Sequence, residues 1–432
     1  MRNWLKDDVL RRVARNTGLL GAGKVAGGVL HLVSLALTAR LLDPAAFGLL
    51  MLARSYAQAA AALAKFQSWQ AVVTFGAAAQ TERRPGGLRG LCTFTVLLDA
   101  ATGLAALALA MTAAPRLGPW IGIPPTETAL AVAYCLAVPI LVAGTPLGLL
   151  RLYDRFDLMA WQALVTPTVR MAAVLLAWAA GAPLWALVAA WLISDIAGEL
   201  FLWVAAVRVG RARGLFADPA APLRSVPRQH RGLWRYLFAT NLNASLQQGA
   251  APFYTILVGG LLGASAAGAY RLAQTILEAV AVPAELAMRS LFPEVARLNA
   301  QGAARARQVV ARFAVLSAGA GLILAALLAL AAPWAVPAAL GADYAVAGDL
   351  LRILSAVVVA LFMGSILETA LLAGGRAGRA LAARAAATLA SVALAIPLAP
   401  VLGLTGIGAA LVIGAAIGTG FLYWSVLAAR AP

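Results

Sequence analysis

The sequence predicts an all-α polytopic membrane protein, with about 12 transmembrane helices in two six-helix bundles. Three observations predict it. The 432 residues are 62% hydrophobic and only 12% charged, a balance outside that of soluble domains. The apolar residues come in runs long enough to cross a hydrocarbon core of about 30 Å as helix. The basic residues crowd onto alternate connections, as the positive-inside rule requires.

Twelve spans follow, at 17–39, 45–66, 88–113, 127–150, 158–180, 183–207, 234–258, 264–290, 309–332, 344–373, 379–400 and 405–428. Of the 34 Lys and Arg, 26 fall on one set of connections and two, Arg40 and Arg116, on the other. The remaining six, Lys24, Arg54, Lys65, Arg170, Arg271 and Arg352, lie inside spans or near their ends. Both termini are therefore expected in the cytoplasm. The net charge of +17 follows from topology and does not call for nucleic acid. Residues 1–16 form a basic cytoplasmic segment. The first apolar run is too long for a signal-peptide core and carries Lys24, so it reads as a retained span.

Span 1 has a polar stripe. Thr17, Lys24, His31 and Thr38 recur every seven residues and share a face. A lysine inside a span costs about 2.5–3.5 kcal/mol on insertion scales, so it is expected to face protein or water. His31 reads either as a proton relay or as a satisfied interior hydrogen-bonder. Gly18 to Lys24 has the spacing of a phosphate loop, but Val25 stands where that loop needs Ser or Thr. Gly23 and Gly27 instead form a small-xxx-small pair for close helix approach, as do Gly414 and Gly418. In span 2, Arg54, Gln58 and Lys65 make a second polar stripe.

Within the first bundle Asp99 is expected to pair with Arg170, and Asp195 and Glu199 with nearby cations. Segment 208–233 separates the bundle of 17–207 from that of 234–432. With the flanking Arg208 and Arg235 it holds seven arginines, together with Pro219, Pro222 and Pro227. It reads as a solvated inner linker near anionic head groups.

The halves repeat. A shift of 220 aligns Leu41, Leu42, Ala46, Gly48, Leu52 and Ala53 with Leu261, Leu262, Ala266, Gly268, Leu272 and Ala273, as in transporters built from repeated bundles. Span 7 carries Asn241, Ser245 and Gln248. Span 8 carries Arg271, Thr275, Glu278, Glu285 and Arg289 near whole-turn spacing, so cations and carboxylates share a face. Spans 3, 9, 11 and 12 are mostly Ala, Leu, Val and Gly, the composition of lipid-facing packing. Cys92 and Cys135 lie in separate spans with no CxxC pattern. The sequence has no HExxH, no nucleophile elbow and no clustered His/Cys set. It therefore predicts neither an enzyme nor a metal or cofactor site.

The turn Ala39-Arg40-Leu41-Leu42-Asp43-Pro44-Ala45-Ala46-Phe47-Gly48 and the stretch Phe66-Gln67-Ser68-Trp69-Gln70-Ala71-Val72-Val73, with Asn16 entering span 1, resemble the polysaccharide-transport (Wzx-type oligosaccharide flippase) members of the multidrug/oligosaccharidyl-lipid/polysaccharide exporter superfamily. The specific resemblance covers about residues 16–76. It implies two six-helix bundles around a V-shaped cavity, with spans 1, 2, 7 and 8 along the substrate path. It implies alternating access for an oligosaccharide on undecaprenyl diphosphate in the bacterial inner membrane. It also implies membrane lipids as surroundings, and polysaccharide polymerase and glycosyltransferases as partners. The substrate-binding candidates are Lys24, Arg54, Arg271, Asn241 and Gln248, and the coupling candidates are Glu278, Glu285 and His31. The alternatives are a cation-coupled multidrug antiporter, expected to have an acidic cavity, a lipid II flippase, and a membrane polymerase or ligase, expected to need a large outward loop.

Overall fold

A computed structural model of the protein describes residues 8–81, 86–217, 219–230, 232–281 and 303–428, and the regular structure among them is entirely helical. The first half contains α1 (Asp8–Leu41), α2 (Pro44–Ala64), α3 (Ser68–Thr81), α4 (Gly87–Leu117), α5 (Thr128–Cys135), α6 (Val138–Val142), α7 (Thr145–Leu152), α8 (Phe156–Ala179) and α9 (Leu184–Ala212). The short α10 (Val226–Gln229) follows, then α11 (Leu233–Gln248), α12 (Ala250–Leu262), α13 (264–281), α14 (Ala303–Leu340), α15 (Ala345–Ala373) and α16 (Ala377–Leu427).

Among the described residues, eight helices are long and apolar enough to span a bilayer, or nine if α5 and the α6–α7 segment, bent by 48° from each other, count as one span. The α16 helix is 51 residues long, about 76 Å at ~1.5 Å per residue, far more than one crossing needs. Gly403 breaks it with φ 60° and ψ −139°, which separates the predicted spans 11 and 12. α11–α12 and the described part of α13 lie on predicted spans 7 and 8, and residues 282–290 of span 8 lie outside the described residues.

The turn before α2 is built from its sequence. The Asp43 carboxyl accepts the backbone N–H groups of Ala45 (2.8 Å) and Ala46 (2.9 Å), and Pro44 takes the first helical position, where an N–H is not needed. One turn later Gly48 meets α13 so closely that a β-carbon there would lie 1.9 Å from the Ala264 carbonyl oxygen. The partner glycine is Gly268, whose own β-carbon would lie 3.0 Å from Gly48 Cα. The two glycines aligned by the internal repeat therefore touch each other.

The chain forms two compact units. The first runs to Leu42 and from Leu49 to Gly260; the second holds Asp43–Gly48 and the chain from Leu261. The sequence reading divides the chain into its two bundles at 208–233; α11 and α12, which follow that segment, fall in the first compact unit. Polar contacts explain this. Asn241 Nδ2 donates to the Lys65 carbonyl (2.9 Å) and Ser245 Oγ to the Ala62 carbonyl (2.8 Å), so α11 satisfies acceptors that the end of α2 leaves open.

The linker is not a free solvated loop. Val226 and His230 are buried, Val226 among Ala71, Leu91, Leu233 and Leu237, and the Ala221 N–H donates to the Gly86 carbonyl (3.2 Å). Arginines 208, 211, 213, 224, 228 and 235 are exposed. The segment is a strap docked by its apolar residues, with its charge turned outward.

Close helix approach occurs where the sequence predicts it. A β-carbon on Gly23 or Gly27 would lie 2.8 or 2.3 Å from a carbonyl oxygen of α8, that of Ala160 or Ala163. The Ala163 carbonyl lacks its helical donor because residue 167 is proline. Gly414 and Gly418 pack in the same way against Ala387 in the first half of α16. Residues 18–24 are continuous helix, which excludes the phosphate-loop conformation there.

Candidate functional site

The first unit is tied together by a buried ionic network drawn from five helices. Trp191, Ser194 and Asp195 lie within about one turn on α9 and share a face. The Asp195 carboxylate takes Arg54 Nε of α2 on Oδ2 (2.9 Å) and Arg54 Nη2 on Oδ1 (3.3 Å). Tyr134 of α5 donates its hydroxyl to Oδ2 (2.6 Å), and Arg170 of α8 donates Nη2 to Oδ1. Charge-assisted, forked contacts of this kind are the strong ones.

Arg170 is fully committed. Its Nε donates to Ser194 Oγ (3.0 Å), its Nη1 meets His31 Nδ1 (2.9 Å), and its guanidinium lies 3.9 Å from the Trp191 ring centroid. Trp191 in turn donates Nε1 to Thr38 Oγ1 (3.1 Å). Because a guanidinium can only donate, His31 Nδ1 accepts, which puts the imidazole proton on Nε2. Arg54 differs. It lies 5.4 Å from the same ring, and its side chain is 14% exposed against 1% for Arg170. Two guanidiniums share one carboxylate, so the network carries one excess positive charge.

A second polar knot joins two helix breaks. Asp99 of α4 accepts the backbone N–H groups of Gly144 (2.9 Å) and Thr145 (3.3 Å) and the Thr145 hydroxyl (3.1 Å), capping α7 from another helix. It also accepts Ser68 Oγ at the start of α3. Lys65 Nζ, in the gap before α3, donates to the Leu141 carbonyl at the end of α6 (2.9 Å). The expected Asp99–Arg170 pair is therefore corrected: Asp99 serves backbone donors, and Arg170 serves Asp195.

The other predicted residues have no contact with the Asp195 network among those described. Lys24 is exposed on α1, a position removed from the face that packs on α8. Arg271 Nη1 reaches Glu278 Oε1 at 3.4 Å, and Gln274 donates to the same oxygen (3.4 Å). Asn241 is engaged on the end of α2, while Gln248 is exposed at the end of α11. Glu285 and Arg289 lie outside the described residues. Sequence reasoning missed Tyr134 and Trp191 and left the partner of Arg54 unassigned. One signal was present: Arg170 stands about nine residues before the end of α8 and Asp195 about eleven after the start of α9, so an antiparallel hairpin brings them to similar depth.

The profile of a family described as polysaccharide biosynthesis protein matches residues 13–299. Inner membrane protein YghQ of Escherichia coli (strain K12) is 31% identical over 351 residues, 81% of this chain and 99% of that protein. Among solved structures, an inward-facing MATE multidrug resistance transporter of the MOP superfamily superposes with a TM-score of 0.69 at 16% identity, covering 95% of this chain and 93% of its own. The lipid II flippase MurJ, in an inward closed conformation, gives 0.70 at 13% identity over 95% and 87%. At such identities the likeness is one of fold. Profile and relative together show that this chain, a multi-pass inner-membrane protein with the helical fold of MATE and MurJ, belongs to the polysaccharide biosynthesis protein family.

Proposed function

We propose that the protein flips an oligosaccharide carried on undecaprenyl diphosphate from the cytoplasmic to the periplasmic leaflet, by alternating access, for surface polysaccharide assembly. The observation that carries the reading is the excess cation of the first unit, two arginines on one carboxylate. A charge within a spanning helix is costly and marks a pathway. A cation in surplus is retained where an anion comes to meet it. A diphosphate brings several negative charges and acceptor oxygens that suit a guanidinium fork.

Arg54 is the principal contact in this reading because it is the partly exposed member of the network. Lys24 and Arg271 supply further charge, and Gln248 offers an amide to the sugars. The amide of Asn241 is engaged with Lys65, so its part is to position α2. Glu278, on Arg271, is the coupling candidate that exchanges a proton as phosphate binds or leaves. Glu285, seven residues further along the sequence, stays with it as a candidate. A proton on His31 Nδ1 would break its contact with Arg170, so His31 relays only if the network opens.

MATE structures are described as multidrug transporters and MurJ as a lipid II flippase, and both share this fold. Charge favours the second kind of cargo, because a cationic drug is repelled by the network. Polymerase and glycosyltransferases are the partners this role calls for, with the termini and the docked strap in the cytoplasm. Complementation of a flippase-null strain tests the reading. Arg54→Gln, at wild-type abundance, should lose surface polysaccharide, and Lys24→Ala and Arg271→Ala should reduce it, while Arg376→Ala should restore it fully. Full restoration by Arg54→Gln would overturn the assignment.

A further inference from the structure

We infer that Asp195 is a positioning residue that occupies the place of the substrate phosphate on Arg54, and that Arg54 exchanges this carboxylate for a phosphate when the lipid carrier binds. The inference rests on the proposed function above. It is carried by the unequal commitment of the two arginines.

Arg170 cannot be the exchanging partner. All three of its nitrogens are engaged, with Ser194, His31 and Asp195, it stacks on Trp191, and it is almost wholly buried. Arg54 offers Nε and Nη2 to Asp195 and retains Nη1 without a hydrogen bond among the described residues, on the more exposed side chain. Asp195 loses little when Arg54 leaves, since Arg170 still holds Oδ1 and Tyr134 still holds Oδ2. Arg54 has no such reserve. Moved away from Asp195 with nothing in return, it would be an unpaired cation in a low-dielectric setting, which is strongly unfavourable. It therefore leaves only for another anion.

Tyr134 sets the balance of the exchange. Its hydroxyl donates to Oδ2, the oxygen that also receives Arg54 Nε, and so weakens the hold of Asp195 on Arg54.

The test is binding of a short isoprenyl diphosphate to the full-length protein in nanodiscs, measured by calorimetry. Arg54→Gln should weaken binding at least tenfold. Asp195→Asn removes the competing charge and should tighten binding about fivefold or more while slowing transport. Tyr134→Phe should act in the opposite direction, weakening binding severalfold. Should Asp195→Asn not fold, the double variant Arg170→Gln/Asp195→Asn neutralises both committed partners and should also bind more tightly than wild type. Weaker binding in Arg54→Gln, with unchanged or weaker binding in the Asp195 variant that folds, would make Asp195 a scaffold and overturn the exchange. Wild-type binding by Arg54→Gln would instead overturn the phosphate reading itself.

Discussion

Replacing Asp99 separates a structural carboxyl from a chemical one. Asp99 is 1% exposed and accepts four hydrogen bonds, two from the backbone of Gly144 and Thr145 and two from the hydroxyls of Thr145 and Ser68. In Asp99→Ala the hydroxyls have other acceptors. Thr145 lies 2.9 Å from Thr95 Oγ1, and Ser68 lies 3.4 Å from the Phe66 carbonyl. The two N–H groups have none, because they stand at the N-cap and first position of α7, where no intrahelical acceptor precedes them. At about 1–3 kcal/mol for each buried donor left unmet, alanine should destabilise the protein by about 2–6 kcal/mol. Asp99→Asn keeps an oxygen for the backbone and turns its amide toward Ser68, which can accept, so its effect should be about 1–2 kcal/mol. Thermal unfolding of the purified protein in detergent should rank wild type above Asn and Asn above Ala. Transport per folded molecule should survive in the Asn variant. Alanine as stable as wild type, or an Asn variant that folds normally and transports nothing, would refute the capping argument.

Three further outcomes follow from packing and capping. Gly27→Ala puts a β-carbon 2.3 Å from the Ala163 carbonyl oxygen, whereas Gly28→Ala meets nothing within 4 Å; the first should reduce folded protein in membranes and the second should not. Gly403→Ala places an L residue at φ 60°, ψ −139°, a region essentially restricted to glycine, and should cost about 1–3 kcal/mol by thermal unfolding. Asn241→Ala and Ser245→Ala each remove one bond to the end of α2 and should each cost about 1 kcal/mol, with Gln248→Ala neutral in the same assay.

The spans were legible because a bilayer forces long apolar runs, and a run can be read without knowing its neighbours. Gly23 and Gly27, and Gly414 and Gly418, were legible for a similar reason, since small residues four apart make a groove on their own helix. Arg271 and Glu278 share one helix, so periodicity sufficed to bring them together. The partner of Arg54 was not legible in this way. It lies 141 residues away, and spacing along one helix says nothing about which helix stands opposite. The Asp99–Arg170 expectation failed for this reason: it matched charges without an order of helix neighbours. The strap was misread because its arginines and prolines dominate the composition, while buried residues such as Leu215, Val226 and His230 dock it.

The caps on α2 have a consequence for the order in which the protein is made. The Lys65 carbonyl precedes its partner Asn241 by 176 residues, and the Ala62 carbonyl precedes Ser245 by 183. At a synthesis rate of ~5–20 residues per second, that is a wait of about 9–35 s. During it the end of α2 sits in the membrane with acceptors that no nearby segment can satisfy, and the translocon or water must hold them. A nascent chain halted at the strap would thus carry six spans and an unfinished second helix, whereas one halted beyond Gly260 would carry everything the first unit needs. Biogenesis of this unit is complete only when α11 and α12 have also been made.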